Sequence, residues 1–170
     1  MYNIAQTDFE SGHWQECLPH IEQRLAAQDE EAQLIGLRAL KEIVRAFQFE
    51  VDEKRKILVC VAEHFFPTLE AMMQGIISRS DSPNQLQIMI LISKIFYMCI
   101  HVKLLPFLVE PGKLNNWIEI FAAVLDSQQD PSSHLVQLTD DMSTLAELNN
   151  HEWWKLKGIC ARISVKLYGK

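Results

Sequence analysis

Residues 82–100 read SPNQLQIMILISKIFYMCI, which combines a helix start signal with a long apolar run. Ser82 is a favoured N-cap residue, Pro83 suits the first position of a helix, and Gln85 completes the pattern of a capping box. The residues that follow are apolar almost all round the helix, as in a helix with neighbours on several sides. Lys94 interrupts the stretch, which is shorter than the roughly 20 apolar residues that cross a bilayer. We therefore expect a helix buried in a protein core.

The rest of the chain shows the same spacing of apolar residues at three to four positions, without the sustained alternation of a half-buried strand. The pattern predicts helical hairpins at about 13–49, 52–101 and 111–168, and a short helix at Tyr2–Phe9. A polar, acidic loop at about 127–149 is inserted into the third hairpin. We therefore predict an all-α fold, an α-solenoid of about three HEAT- or armadillo-type repeats, as a single array over residues 1–170.

Two adjacent tryptophans, Trp153 and Trp154, open the last predicted helix. Asn149 is its candidate N-cap, and Leu148 can pack on Trp153 as a hydrophobic staple. Trp153 is thus expected to anchor the helix entry in the core, whereas Trp154, about 100° further round, faces another neighbour. The alternative is that the pair forms a platform on which a peptide or a base stacks.

Composition limits the possible partners. The formal net charge is -6 and the isoelectric point is near 5.5. A general nucleic-acid binder needs a surplus of Lys and Arg on one surface, so direct nucleic-acid binding is not expected. The four cysteines are widely spaced within helical patterns and form no CxxC pair, which favours reduced thiols; they are Cys17, Cys60, Cys99 and Cys160.

The sequence argues against an enzyme. The six histidines are scattered, without an HExxH motif, and the chain has no glycine-rich phosphate loop. The adjacent carboxylates Asp140 and Asp141 lie in the predicted loop, where no rigid surroundings would hold a metal ion. We therefore predict no catalytic residue, no metal ligand, no cofactor and no membrane insertion.

Several segments resemble one family when they are taken in chain order. They are HWQECLPHIEQRL, QLIGLRALKEIVRAFQFE, FFPTLEAMM, ISKIFYMCIHVKLLPFLV, LNNWIEIFAAVLD and EWWKLKGICARISVKLYG, with the acidic loop before the last. Together they resemble the importin-beta superfamily of nuclear transport receptors, and within it the importin seven and eight subgroup and its fungal relatives. The chain departs from the subgroup after Lys157, where GICARISVKLYGK places Gly158 inside the helix and has fewer aromatic and charged residues at its end. Glycine inside a helix costs about 1 kcal/mol relative to alanine.

The resemblance implies an internal, early stretch of a nuclear import receptor, or karyopherin beta, that shuttles between cytoplasm and nucleus. Its implied partners are cargo proteins, including basic ones such as ribosomal proteins or histones, the GTP-bound GTPase Ran, and Phe-Gly nucleoporins. Most of the Ran site is expected outside this stretch, and no residue here can be assigned to Phe-Gly binding from the sequence. The alternative function is a cytosolic α-solenoid scaffold or adaptor for protein–protein interaction.

Two charged sets are candidates for partner binding. The loop carboxylates are suited to basic cargo, and the cations of the last helix are suited to an acidic partner or to the acidic loop of the same chain. The alternative is that both sets are solvated surface. The candidate residues are Asp130, Asp140, Asp141 and Glu147 in the loop, and Lys155, Lys157 and Arg162 in the helix. An array that is part of a longer solenoid should also expose apolar end faces, near Tyr2–Phe9 and on the last helix.

Overall fold

The computed structural model describes residues 14–77, 82–127 and 152–168. These ranges contain six α-helices, one 3₁₀ helix and no strand, so the predicted all-α solenoid fold is confirmed. The helices are α1 (Trp14–Leu25), α2 (Glu30–Phe47), α3 (Asp52–Ile77), α4 (Pro83–Cys99), α5 (Lys113–Asp126) and α6 (Glu152–Tyr168), with the 3₁₀ helix at Pro106–Val109.

Side-chain caps fix the starts of α2 and α4. The Asp29 carboxylate accepts hydrogen bonds from the backbone N–H groups of Glu31 and Ala32, at 3.4 and 3.0 Å. The Ser82 hydroxyl accepts one from the N–H of Gln85 at 3.2 Å. Each bond satisfies a donor that the first helical turn leaves without a partner. The predicted N-cap Ser82 is thus confirmed, and Asp29 caps α2 in the same way.

The connection between α4 and α5 differs from the expectation. The predicted hairpin begins near Pro111, whereas α5 begins at Lys113 and is preceded by the 3₁₀ helix. Gly112 precedes α5 with a φ of +84°, in the left-handed region that glycine enters at little cost. A 3₁₀ helix of four residues is too short to show an apolar period. The proline at its first position, Pro106, is its main sequence signal.

Helix α4 lies at the centre of the array. It packs against α2 on one side and α6 on the other, and it also contacts α3. Helices α2, α4 and α6 thus form one layer, and α1, α3 and α5 pack against it, with α3 also touching α5. The side chains of Ile88, Ile92 and Phe96 are fully buried in this arrangement. Burying each stabilises the fold by about 1.5–3 kcal/mol.

Polar contacts join the starts of α2, α4 and α6. The Ser82 hydroxyl and the Gln85 side-chain amide donate to the Glu30 carboxylate, at 2.8 and 2.9 Å. The Gln87 amide donates to the Glu152 carboxylate at 3.3 Å. The three helices therefore begin along one edge and run parallel, and a slip of one helix against the next would break these contacts.

A close approach of α1 to α2 depends on Gly36. A Cβ atom at this position would lie 3.0 Å from the Cβ of Arg24 and 3.2 Å from a methyl carbon of Leu25. These distances are shorter than ordinary carbon–carbon contacts of about 3.5–4.0 Å. Glycine thus sets the spacing of the first two helices.

Helix α3 is tied to the segment that follows α4. The Arg55 guanidinium donates through Nη2 to the carbonyl oxygens of Cys99 and Lys103. These carbonyls lie where α4 ends, and carbonyls at a helix C-terminus need such donors. A single side chain therefore fixes α3 against the start of the loop that leads to the 3₁₀ helix.

Some expectations fall outside the described ranges. They are the short helix at Tyr2–Phe9 with its end face, the inserted loop apart from its first residue, and the capping of the last helix by Asn149 and Leu148. The grouping of the helices into three repeats stays a prediction. Among the residues described, no helix combines the length and the apolar character that a membrane crossing requires.

We expect Leu37→Ala to lower the free energy of unfolding by about 2–5 kcal/mol, because Leu37 is fully buried between helices and its loss leaves a cavity. Ile35→Ala on the same helix is the control, since Ile35 is 52% exposed, and its effect should stay within about 0.5 kcal/mol. Urea unfolding followed by circular dichroism measures both. Equal losses would contradict the assigned faces of α2.

Thiol labelling should separate the cysteines into two classes. Cys17 and Cys60 are exposed free thiols, whereas Cys99 and Cys160 are buried. Burial raises the pKa of the Cys99 thiol far above its usual range and raises the pKa of Cys160 to about 12, so neither forms the reactive thiolate near neutral pH. We expect a disulfide reagent at pH 8 to modify two thiols rapidly and the other two only after denaturation. Rapid labelling of all four would contradict this burial.

Candidate functional site

A cleft opens between α3, the 3₁₀ helix and α5, with a volume of about 390 Å³. This volume falls in the range of small-molecule and side-chain binding sites, roughly 300–1,000 Å³. Its floor is apolar and is formed by Phe66, Phe107, Leu108 and Trp117. Phe66, Leu108 and Trp117 are buried, and Phe107 is half-buried. We call this feature the aromatic cleft.

The floor of the aromatic cleft belongs to a larger cluster of rings. The Phe66 ring centroid lies 5.4 Å from those of Phe107 and Trp117 and 5.6 Å from that of Phe96. Phe96 in turn lies 4.8 Å from Trp117 and 5.0 Å from Phe121. These separations are typical of favourable aromatic pairs. The rings therefore hold one another in place, and the cleft floor is preformed.

The rim of the cleft is polar and mainly acidic. Glu63 and Glu70 project from α3, Glu110 follows the 3₁₀ helix, and Lys113 is the one cation among the lining residues. The Asn116 side-chain amide donates to the Glu70 carboxylate at 2.9 Å, which links α5 to α3 beside the cleft. An apolar group that enters the cleft would therefore sit beneath carboxylates that favour a neutral or basic ligand.

Pro67 lies on the cleft wall within α3 and is exposed. Proline has no N–H to donate to the carbonyl four residues earlier, which is that of Glu63. That carbonyl also belongs to a residue of the cleft rim and lacks its usual helical donor.

The predicted basic residues lie on α6 in different surroundings. Lys155 and Arg162 are exposed. Lys157 is half-buried, and its Nζ donates to the carbonyl oxygen of Ser127 at 3.0 Å, directly after α5 ends. A cation at this place also meets the negative end of the helix dipole. Lys157 therefore joins α6 to α5, whereas the other two remain available to a partner.

The predicted acidic residues of the loop are not among those described. Asp130, Asp140, Asp141 and Glu147 all lie between residues 128 and 151. Their role in cargo binding stays a prediction.

The two tryptophans separate as the helical geometry predicts. Trp153 is buried at 4% exposure, and Trp154 is 40% exposed. Trp153 is therefore part of the core at the start of α6. Trp154 lies on a face of α6 that the other described helices leave open.

Sequence reasoning missed the aromatic cleft. Its floor combines Phe66 with Phe107 and Trp117, which are about 40 and 50 residues away in the chain. A Phe-Pro pair at 66–67 and a Pro-Phe pair at 106–107 are the local signals, but neither pair indicates that these two segments lie close together in the fold. Their meeting depends on the packing of α3 against α5, which one sequence does not specify.

Metal chemistry has no support among the described residues. No group of three or more His, Cys, Asp or Glu side chains in residues 14–77, 82–127 and 152–168 could hold an ion. The buried thiols are distributed singly, in α4 and α6.

Comparison with known proteins finds relatives along nearly the whole chain. The chain is 25% identical over 169 residues to a probable importin-7 homolog of Dictyostelium discoideum, and the match covers 98% of this chain and 15% of the relative. It is 26% identical over 166 residues to human importin-8, with 97% and 15% coverage. It is 27% identical over 156 residues to an importin beta-like SAD2 homolog of Arabidopsis thaliana, with 91% and 14% coverage.

The resemblance to the importin-beta superfamily is confirmed. The chain spans about 15% of the length of the importin relatives it matches. No family model matches the chain, and no solved structure matches it. The importin relationship thus rests on sequence similarity that continues through both layers of helices, together with the solenoid fold.

Replacing Lys157 and Lys155 in turn should separate a structural cation from an exposed one. Lys157→Met removes the hydrogen bond to Ser127 and should lower the free energy of unfolding by about 1 kcal/mol. Lys155→Met should change it by less than about 0.5 kcal/mol, because Lys155 is exposed. Chemical denaturation of the two variants makes the comparison. A larger loss for Lys155→Met would contradict the assignment.

Proposed function

We propose that this chain is a binding segment of a nuclear import receptor, and that its aromatic cleft accepts the phenylalanine of Phe-Gly nucleoporins. The observation that carries the proposal is the preformed apolar cleft between α3 and α5 in a chain related to importins. The receptor moves between cytoplasm and nucleus and acts by binding other proteins, without catalysis.

The cleft suits one aromatic side chain followed by a residue without a side chain. Its floor offers the half-buried ring of Phe107, backed by the buried rings of Phe66 and Trp117, and a further ring can pack favourably against it. Glycine beside the phenylalanine lets the peptide backbone approach the rim closely. The carbonyl of Glu63, which lacks its usual helical donor, can then accept a peptide N–H.

Transport requires that such contacts form and break quickly. One buried phenylalanine contributes about 1.5–3 kcal/mol, which by itself supports only weak binding. Several weak contacts along a repetitive peptide increase the overall affinity while each remains short-lived. A cleft for a single ring, rather than an extended groove, fits this requirement.

Cargo binding in the proposed receptor involves surfaces other than the aromatic cleft. The loop residues Asp130, Asp140, Asp141 and Glu147 would attract basic cargo such as ribosomal proteins or histones. The GTP-bound GTPase Ran would bind mainly outside residues 1–170. A solenoid whose repeats touch only their neighbours can change curvature, so one ligand can favour the release of another.

We expect a Phe-Gly repeat peptide to bind saturably and a Ser-Gly peptide of the same length not to bind. Amide chemical shifts of the ¹⁵N-labelled chain should change around Phe66, Phe107 and Trp117. Ala71→Trp should weaken binding about ten- to hundredfold, because Ala71 is exposed on the cleft wall and an indole there would occupy the space of the ligand ring.

Ala39→Trp is the matched control. Ala39 is exposed on α2 and does not line the cleft, so this variant should bind the Phe-Gly peptide like the parent chain. Selective binding with shifts elsewhere would contradict the cleft as the site. Absence of selective binding would contradict nucleoporin recognition by this segment and favour the scaffold or adaptor function.

A further inference from the structure

The layer of α2, α4 and α6 has one side that the other described helices leave open. Helix α4 has α2 and α6 on its two sides and α3 behind it, so only its remaining face meets solvent. Lys94 is exposed in the middle of that face, between the half-buried side chains of Leu91 and Met98. Helices packed beside α2 or α6 at either end of the array would leave this face uncovered. We call this side of the layer its front.

Arg38 of α2 lies on the front as well. The Glu30 carboxylate faces α4, because it accepts hydrogen bonds from Ser82 and Gln85. Arg38 is exposed and lies about 80° round α2 from Glu30. Gly36, which approaches α1, lies about 120° from Glu30 in the opposite sense. Arg38 therefore points away from the back of the layer.

Arg162 of α6 is placed in the same way on the other side of α4. The Glu152 carboxylate faces α4, because it accepts a hydrogen bond from Gln87. Arg162 is exposed and lies about 80° round α6 from Glu152. Lys157, which reaches the end of α5, lies about 140° from Glu152 in the opposite sense. Arg162 therefore shares the front with the exposed cations of α2 and α4.

These three cations lie at similar heights in the layer. Arg38, Lys94 and Arg162 are about 12 to 17 Å from the starts of their helices, at a rise of 1.5 Å per residue. The three helices run parallel from one edge, and packed helix axes are about 8–10 Å apart. A positive charge therefore recurs about every 8–10 Å across the front. We call these three residues the basic row.

The basic row is not neutralised by the chain's own carboxylates among the described residues. None of the ion pairs found in residues 14–77, 82–127 and 152–168 includes a member of the row. Glu42, which follows Arg38 by one turn on α2, pairs with Lys41 and Arg45 instead. Helices α2, α4 and α6 together carry more Lys and Arg than Asp and Glu, although the net charge of the chain is -6. Positive charge is thus concentrated on this layer.

We propose that the basic row binds an acidic, extended segment of a partner protein that lies across α2, α4 and α6. An extended chain of the polyproline II type has three residues per turn and rises about 3.1 Å per residue, so every third side chain lies on one side, about 9 Å apart. Carboxylates at that spacing match the row. Leu91 and Met98 offer apolar contacts to the residues between them. The proposal is independent of the Phe-Gly function, because the aromatic cleft lies between α3 and α5.

Charge spacing favours this partner over a nucleic acid. Each strand of DNA carries one charge about every 3.4 Å of helix axis, so most phosphates along the front would face no cation. The half-buried side chains of Leu91 and Met98 would meet phosphates rather than apolar groups. The net charge of -6 would also repel a long polyanion more strongly than a short acidic segment.

The test uses three peptides of twelve residues. One repeats Glu-Leu-Ser, one repeats Lys-Leu-Ser, and the third has the composition of the first with its glutamates contiguous. Isothermal titration calorimetry with the full chain at low salt should give at least about tenfold tighter binding of the Glu-Leu-Ser peptide than of the Lys-Leu-Ser peptide, and added salt should weaken it. Equal binding of these two would overturn the proposal. Tighter binding of the contiguous glutamates would contradict the match of spacing.

Variants locate the binding. Lys94→Glu should weaken the Glu-Leu-Ser peptide about three- to tenfold, and Lys94→Arg should bind it like the parent chain. The double variant Arg38→Glu with Lys94→Glu should weaken it at least about tenfold. Lys56→Glu is the matched control, because Lys56 is exposed on α3 behind the layer and the change in net charge is the same. Equal effects of Lys56→Glu and Lys94→Glu would contradict binding at the front.

The acidic loop of the same chain is one rival occupant. A variant in which Asp130, Asp140, Asp141 and Glu147 are all replaced by their amides should bind the Glu-Leu-Ser peptide within about threefold of the parent. At least about tenfold tighter binding in that variant would assign the row to the loop and overturn the proposal.

Two further measurements cover the remaining occupants. Sedimentation velocity that shows dimers, lost in Lys94→Glu, would assign the row to a second copy and overturn the proposal. A twelve-nucleotide single strand that binds more tightly than the Glu-Leu-Ser peptide, and is weakened by Lys94→Glu, would overturn it as well. Ala71→Trp should leave binding of the Glu-Leu-Ser peptide unchanged, so a failure of the proposed cleft function is distinguishable from a failure here.

Discussion

Burial of α4 on several sides determines how the other helices are arranged. A helix whose apolar residues face α2, α3 and α6 at once is stable only when all three are in place. Exposure of Ile88, Ile92 and Phe96, which are fully buried, would alone cost about 4.5–9 kcal/mol, comparable to the net stability of a typical domain, about 5–15 kcal/mol. The layer of α2, α4 and α6 is therefore one cooperative unit.

Polar contacts give this apolar unit its register. Apolar faces alone tolerate sliding, because the hydrophobic effect is not directional. The bonds from Ser82 and Gln85 to Glu30, and from Gln87 to Glu152, fix where each helix begins relative to the next. Arg55 likewise fixes α3 to the end of α4, and Lys157 fixes α6 to the end of α5. Few bonds are needed, since each helix has only a few neighbours.

The sequence predicted the parts of the fold that local chemistry determines. Apolar periodicity identified the helices, and Ser82 located the start of α4 because an N-cap acts on its own backbone within three residues. The 3₁₀ helix was missed, since four residues are too few to show a period. The prediction that Trp153 is buried in the core while Trp154 faces elsewhere agrees with the structure, because adjacent residues of a helix lie about 100° apart.

The candidate sites were less predictable for a physical reason. The aromatic cleft joins Phe66, Phe107 and Trp117 from separate elements, and their proximity follows from packing rather than from spacing in the chain. Lys157 and Lys155 look alike in the sequence, but only the former reaches Ser127.

The width of the aromatic cleft can respond to a change in the curvature of the solenoid, because the cleft lies between two helices and its width depends on the distance between α3 and α5. A ligand that fits one width therefore favours the corresponding curvature, because a ligand can shift the equilibrium only through different affinities for the two states.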